Sequence, residues 1–147
     1  MGIYFNPTNE SFTQAKNSMI YVDKTELLEQ LNLRLSTENK CIAVSHARRF
    51  GKSHAAGMID AYYSLGCDSS KLFDNTKISS HADYKKYMNK YNVIHLDISS
   101  FWDFHKKDLI ESIKERVYDD FKEIYAESLN YNKDIHVLLN EIYHKTT

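Results

Sequence analysis

A chain of 147 residues with 19 Lys and Arg against 20 Asp and Glu fits one domain with a sizeable core, and its near-neutral charge supplies no global attraction to nucleic acid or an anionic membrane. No apolar run approaches the roughly 20 residues of a membrane helix, and the N-terminus lacks the charged start and apolar centre of a secretory signal. The expected compartment is the cytoplasm, with no membrane partner, where the isolated thiols Cys41 and Cys67 stay reduced.

Residues 1–20 are polar and irregular in pattern, with the single proline at Pro7, and read as a strap anchored by Phe5, Phe12 and Met19. Residues 21–147 read as the domain proper. Asp23-Lys24-Thr25-Glu26 predicts a helix start, with Asp23 as N-cap and Glu26 three residues on. Leu27, Leu28, Leu31 and Leu35 continue that helix at helical spacing. After a polar loop, 40–45 carries the apolar run Cys41-Ile42-Ala43-Val44, as a parallel strand buried on both faces requires.

The next stretch, His46-Ala47-Arg48-Arg49-Phe50-Gly51-Lys52-Ser53, joins that expected strand to a helical pattern starting near Lys52. Strand, tight loop and helix with Gly-Lys-Ser at the junction is the context of a phosphate-binding loop. Backbone N–H groups from Arg48 through Phe50 and Gly51 to Ser53 would curl around an anion, helped by the helix N-terminus. Lys52 would reach the β- and γ-phosphates as the catalytic cation, and the Ser53 hydroxyl would ligate magnesium. Arg48 and Arg49 are bidentate phosphate binders by chemistry, and His54 flanks the loop on the helix side. The standard pattern has glycine where this chain has His46, a residue that tolerates positive φ better than most.

Ala55, Ala56, Met58, Ile59, Ala61, Tyr62 and Tyr63 extend the helix to about Leu65, with Gly66 as terminator. Asp68 to Phe73 reads as a short turn or helix that docks Leu72 and Phe73. A capped helix follows from about Ser80 to Lys90, with Tyr84, Tyr87 and Met88 inward. Val93 to Ile98 is the second expected strand, and Asp97 stands at the strand end where α/β sheets place ligands. From Asp103 to Tyr125 runs the longest helical pattern, with Leu109, Ile113, Val117 and Phe121 every fourth residue, joined by Ile110 and Ile124. A polar linker precedes a last amphipathic helix from Ile135 to Tyr143. The seven histidines include no zinc-ligand spacing, and most of the tyrosines and Trp102 fall at core-facing positions rather than on a basic groove.

Ala47-Arg48-Arg49-Phe50-Gly51-Lys52-Ser53 resembles the Arg-Pro-Arg-Arg-Phe-Gly-Lys-Ser/Thr loop of the bacterial AAA-ATPase-like family, P-loop proteins that usually continue into a PD-(D/E)XK nuclease-like domain. Three further stretches agree in order and spacing: Tyr21-Val22-Asp23-Lys24-Thr25, Ala61 to Ser69, and Asn89 to Asp97. The resemblance is to the N-terminal part of that architecture. It implies that the stretch from Tyr21 lies near the nucleotide, although the residues alone read as a strand end plus a helix cap. Two departures stand out. His46-Ala47 replaces Arg-Pro, and the family's Asp-Glu-Tyr-Asp acidic motif does not occur in this sequence.

The expected fold is therefore α/β, a three-layer P-loop NTPase-like domain, truncated, with a short parallel sheet containing 40–45 and 93–98 as neighbours. The expected function is binding of ATP, with GTP as the less favoured nucleotide, together with Mg2+ at 46–53. Hydrolysis is left open, because no organiser of the attacking water is identifiable. The alternative is a non-catalytic interaction or regulatory module with a degenerate loop. A protein partner or second copy would cover the truncated sheet edge, and a nucleic-acid role rests on family analogy alone.

Overall fold

A computed structural model of the chain describes residues 2–45, 47–101, 108–125, 129 and 134–146. Among these the regular elements are helical. They are α1 (Glu10–Lys16), α2 (Glu26–Asn32), α3 (Lys52–Tyr63), α4 (Ser70–Phe73), α5 (Tyr84–Tyr87), α6 (Leu109–Tyr125) and α7 (Ile135–Thr146), with 3-10 turns at Lys77–Ser80 and Ile98–Phe101. No helix of the described residues is long and apolar enough to cross a membrane.

The expected three-layer α/β sheet is overturned. The described residues hold no β-strand, only isolated bridges at Phe5–Ile94, antiparallel, and Ser64–Tyr91, parallel. The physical reason lies in the backbone. A buried parallel strand needs ladder partners for its N–H and C=O groups and covers for both faces. Residues 41–45 have neither: all are exposed, with Ile42 41% and Val44 56% accessible, and Cys41 is exposed rather than buried. The expected strand at 93–98 spends its backbone on the N-terminal segment instead. Asn6 N–H donates to the Val93 carbonyl at 2.8 Å and His95 N–H donates to the Tyr4 carbonyl at 2.9 Å. Past that short pairing the chain turns into the 3-10 segment, leaving Ile98 exposed.

The chain divides into two compact units, Thr8–Tyr91 and Met1–Pro7 with Asn92–Thr147. In the first, α1 packs on α3, where Gly57 permits close approach: a Cβ there would lie 2.6 Å from Ser11 Oγ. The buried core of this unit includes Phe12, Leu28, Met58, Tyr62, Phe73 and Ile78, with the Phe12 and Phe73 rings stacked at 4.9 Å. The strap region therefore contains a helix rather than irregular chain. Phe12 anchors it as expected, but Met19 is fully exposed. The N-cap of α2 is Thr25, two residues after the expected Asp23, because the Asp23 carboxylate takes the Thr25 N–H at 2.8 Å and the Lys77 N–H at 2.8 Å. It thereby ties the 77–80 turn to the start of α2.

The C-terminal end of α3 is closed by Asn89, at φ 54°. Its side-chain amide donates to the Ala61 and Ser64 carbonyls, each at 3.0 Å, and its N–H donates to the Tyr62 carbonyl at 2.7 Å. These are carbonyls that a helix end leaves without intrahelical donors. The expected helix to Lys90 is only the single turn α5, because Asn89 is committed to this left-handed cap.

In the second unit, α6 and α7 enclose Phe5, Phe101, Ile113, Val117, Phe121, Leu138 and Ile142. Residues 102–107, including Trp102 and the expected helix start at Asp103, lie outside the described residues. The fourth-residue stripe is buried as its spacing predicts, but Ile110 is 58% exposed, one position off that face. Asp120, inside the helix, is buried and accepts the backbone N–H groups of Ile3, Tyr4 and Phe5 at 2.8, 3.0 and 2.9 Å.

Candidate functional site

The loop from Ala47 to Ser53 takes its shape from two left-handed residues. Arg49 has φ 68° and Gly51 has φ 79°, while Phe50 between them and Arg48 before them are not in the left-handed region. Alternation of φ sign along successive residues is one requirement of an anion-binding nest. Only glycine takes the second of these positions without strain. A Cβ on Gly51 would also meet Lys24 Nζ at 3.0 Å. Gly51 then serves as the N-cap of α3, and its carbonyl accepts the Ala55 N–H at 3.0 Å.

No side chain caps that helix start, and no acidic residue stands in its first turn. From Cys41 to Ile59 the sequence contains no carboxylate at all, yet it carries Arg48, Arg49 and Lys52. A near-neutral chain thus concentrates cationic groups at one uncapped helix terminus, where the macrodipole is also positive. Arg48, Arg49, Phe50, Lys52, Ser53 and His54 are exposed, so the whole surface is presented to solvent.

Two ammonium groups fold onto loop carbonyls. Lys52 Nζ donates to the Ala47 carbonyl at 3.0 Å, and Lys24 Nζ donates to the Phe50 carbonyl. Lys24 is thereby brought into the site from the segment before α2. Its signal in the sequence was the Tyr21-to-Thr25 stretch, where cap logic alone places it on a helix start. His46 lies outside the described residues.

Among the described residues Asp97 joins no group of side chains that could hold a metal ion. Its carboxylate accepts the Ser99 hydroxyl at 2.6 Å and the Ser99 N–H at 3.0 Å. Those bonds, the hydroxyl first, hold its pKa below the usual carboxylate value.

Beside the loop lies a cavity of about 380 Å3, bordered by Phe12, Ala15, Tyr21, Arg49, Gly51 and Met58 among others. Phe12 and Ala15 come from α1 and Met58 from α3. The loop and its neighbours carry backbone N–H groups, the Lys52 and Lys24 ammonium groups and the exposed Ser53 hydroxyl, group types that triphosphate oxygens and a hydrated Mg2+ can accept as partners.

The model of a family described as predicted AAA-ATPase matches residues 9–147. No curated protein and no solved structure matches the chain.

Proposed function

The chain belongs to the predicted AAA-ATPase-like family, and we propose that it binds ATP with Mg2+ at residues 46–53. One observation carries this reading. The left-handed pair Arg49 and Gly51 runs directly into the uncapped N-terminus of a 12-residue helix, with lysines from two segments folded onto the loop.

The chemistry follows from these groups. Lys52 exchanges the Ala47 carbonyl for β- and γ-phosphate oxygens, where its charge is most strongly needed. Lys24, bonded to Phe50 beside Gly51, adds a second cation at the same mouth. Arg48 and Arg49 stand exposed on the loop and supply planar, bidentate donors. The Ser53 hydroxyl holds the metal, and Mg2+ when bound neutralises phosphate charge as a Lewis acid. No Asp-Glu-Tyr-Asp run is present to orient a water, so the reading is binding rather than turnover.

Calorimetric titration of ATP and ADP, with Mg2+, into the wild-type chain and Lys52→Ala tests it. The expected result is saturable binding to the wild type and a loss of about tenfold to a hundredfold in the mutant, the span of a charge-assisted hydrogen bond. No heat in either protein, with both folded by circular dichroism, overturns it.

A second reading is a non-catalytic interaction module, and the exposed Ile42 and Val44 beside the loop favour it. Sedimentation that shows self-association, abolished by Ile42→Lys with nucleotide affinity absent throughout, would select that reading.

A further inference from the structure

A second cavity, of about 350 Å3, lies within the Thr8–Tyr91 unit and shares no lining residue with the phosphate loop. Its size falls at the lower end of the about 300–1,000 Å3 usual for small-molecule sites. Leu33 and Leu35, just beyond α2, give it apolar walls together with Ile78 and Ala82, and the half-buried Tyr84 and Tyr87 of α5 add two aromatic side chains. Asn32 lines it as well, but its amide is committed elsewhere: it donates to the Tyr62 hydroxyl at 3.0 Å and accepts from the Tyr63 hydroxyl at 2.6 Å.

The remaining polar groups decide the ligand. They are Glu29, His81 and Asp83, and the lining holds neither lysine nor arginine. One oxygen of the half-buried Glu29 meets His81 Nε2 at 3.3 Å, and its second oxygen accepts no hydrogen bond among the described residues. The exposed Asp83 carboxylate likewise accepts none, although its charge acts on Lys86. An ionised carboxylate is an acceptor only, so both groups ask for a donor. The rings add the same preference. Lys85 Nζ stands 5.5 Å from the Tyr84 ring centroid and Lys86 Nζ 5.0 Å from that of Tyr87, the geometry in which an aromatic face attracts an ammonium group. Both lysines are exposed and lie outside the lining. A metal ion does not fit the need: among the described residues no group of His, Cys, Asp and Glu could hold one.

We infer that this cavity binds a small organic cation, an ammonium group carried on an apolar or aromatic body. The ammonium donates to Glu29 and Asp83 and packs against the tyrosine rings, while the body lies along Leu33, Leu35 and Ile78. Charge-assisted hydrogen bonds are stronger than neutral ones, and burial of the body against apolar walls adds to them. A ligand anion would face two carboxylates, so the same lining rejects it.

The test is an amide-resolved NMR titration of the full 15N-labelled chain with three probes of one shape: phenethylammonium, neutral 2-phenylethanol and anionic 3-phenylpropionate. The expected result is saturable binding of the ammonium, about tenfold tighter than the alcohol, with no binding of the carboxylate. The shifted amides should be those of the lining, Leu33, Ile78, Tyr84 and Tyr87 among them. Glu29→Gln combined with Asp83→Asn brings the ammonium down to the affinity of the alcohol and leaves the alcohol unchanged. Tyr87→Leu, which keeps apolar bulk but removes the ring, weakens the ammonium about threefold or more. The wild-type and variant spectra report folding directly.

Equal affinity for the ammonium and the alcohol, or tighter binding of the carboxylate, overturns the inference. So does ammonium binding that persists in the folded double variant or shifts amides away from the lining, and so does a wild-type spectrum that millimolar ammonium leaves unmoved. Each of these results leaves the phosphate-loop reading standing, because the two sites share no residue.

Discussion

Asp23 shows how one side chain in this fold serves two segments. Its carboxylate oxygens each accept a backbone N–H, one from Thr25 and one from Lys77. Burial raises its pKa, but the hydrogen bonds from Thr25 and Lys77, aided by the Lys77 charge, outweigh that and leave it lowered. A carboxyl with a depressed folded pKa stabilises above its unfolded value and loses that contribution as pH falls through the folded one. Asp23→Asn is therefore expected to cost about 1 kcal/mol at pH 7, the value of a partly exposed charge-assisted bond. The gap between mutant and wild type should begin to narrow below about pH 4 and close as pH falls through the lowered folded value. Urea midpoints at pH 7 and pH 3 check this, and an equal gap at both would remove the charge from the account. Arg49 and Gly51 make the complementary point. Gly51 is legible as a glycine in a Gly-Lys-Ser run, whereas the left-handed turn at Arg49 has no signature in residue type.

At the scale of elements, helical spacing carried most of the information. The stripe Ile113, Val117 and Phe121 predicts the buried face of α6, and the structure places it in the core. What spacing misses is Asp120, adjacent to Phe121. It is buried because the N-terminal segment supplies three amide donors, a partner 115 to 117 residues away in the chain. Asp120→Ala leaves those three amides without their acceptor. The expected cost is about 2–3 kcal/mol, with faster amide exchange at Ile3, Tyr4 and Phe5 and little change in the centre of α3. Hydrogen exchange resolved by residue measures this, and unchanged protection at those three amides would show that Asp120 is not their anchor.

At the scale of the molecule, the chain has two compact units, each with its own apolar core. The unit built on α6 and α7 depends on few large side chains. Phe121 is fully buried, stacks on Tyr125 at 4.6 Å and meets Phe5 edge-on at 5.7 Å. Phe121→Ala is expected to cost about 3–5 kcal/mol, a large share of the roughly 5–15 kcal/mol that holds a domain together. Urea unfolding followed by circular dichroism should show α6 and α7 melting earlier in the mutant. A shift below about 1 kcal/mol would mean the cavity collapses around the missing ring.

The amino-acid sequence by itself determined the helices α3, α6 and α7, the turn at Gly51 and the cationic loop, because helical periodicity, glycine conformation and local charge are properties of neighbouring residues. It determined the family as well, through four motifs in fixed order. The strands were decided otherwise. The apolar runs at 41–44 and 93–98 look alike locally, but a strand exists only where another segment completes its hydrogen bonds. The structure leaves the first exposed and pairs the second briefly with residues 4–6. Lys24 on the loop, Tyr21 in the cavity and Asp120 under the N-terminus were likewise settled by tertiary structure. Each depends on a partner distant in the chain, and no local pattern encodes such a partner.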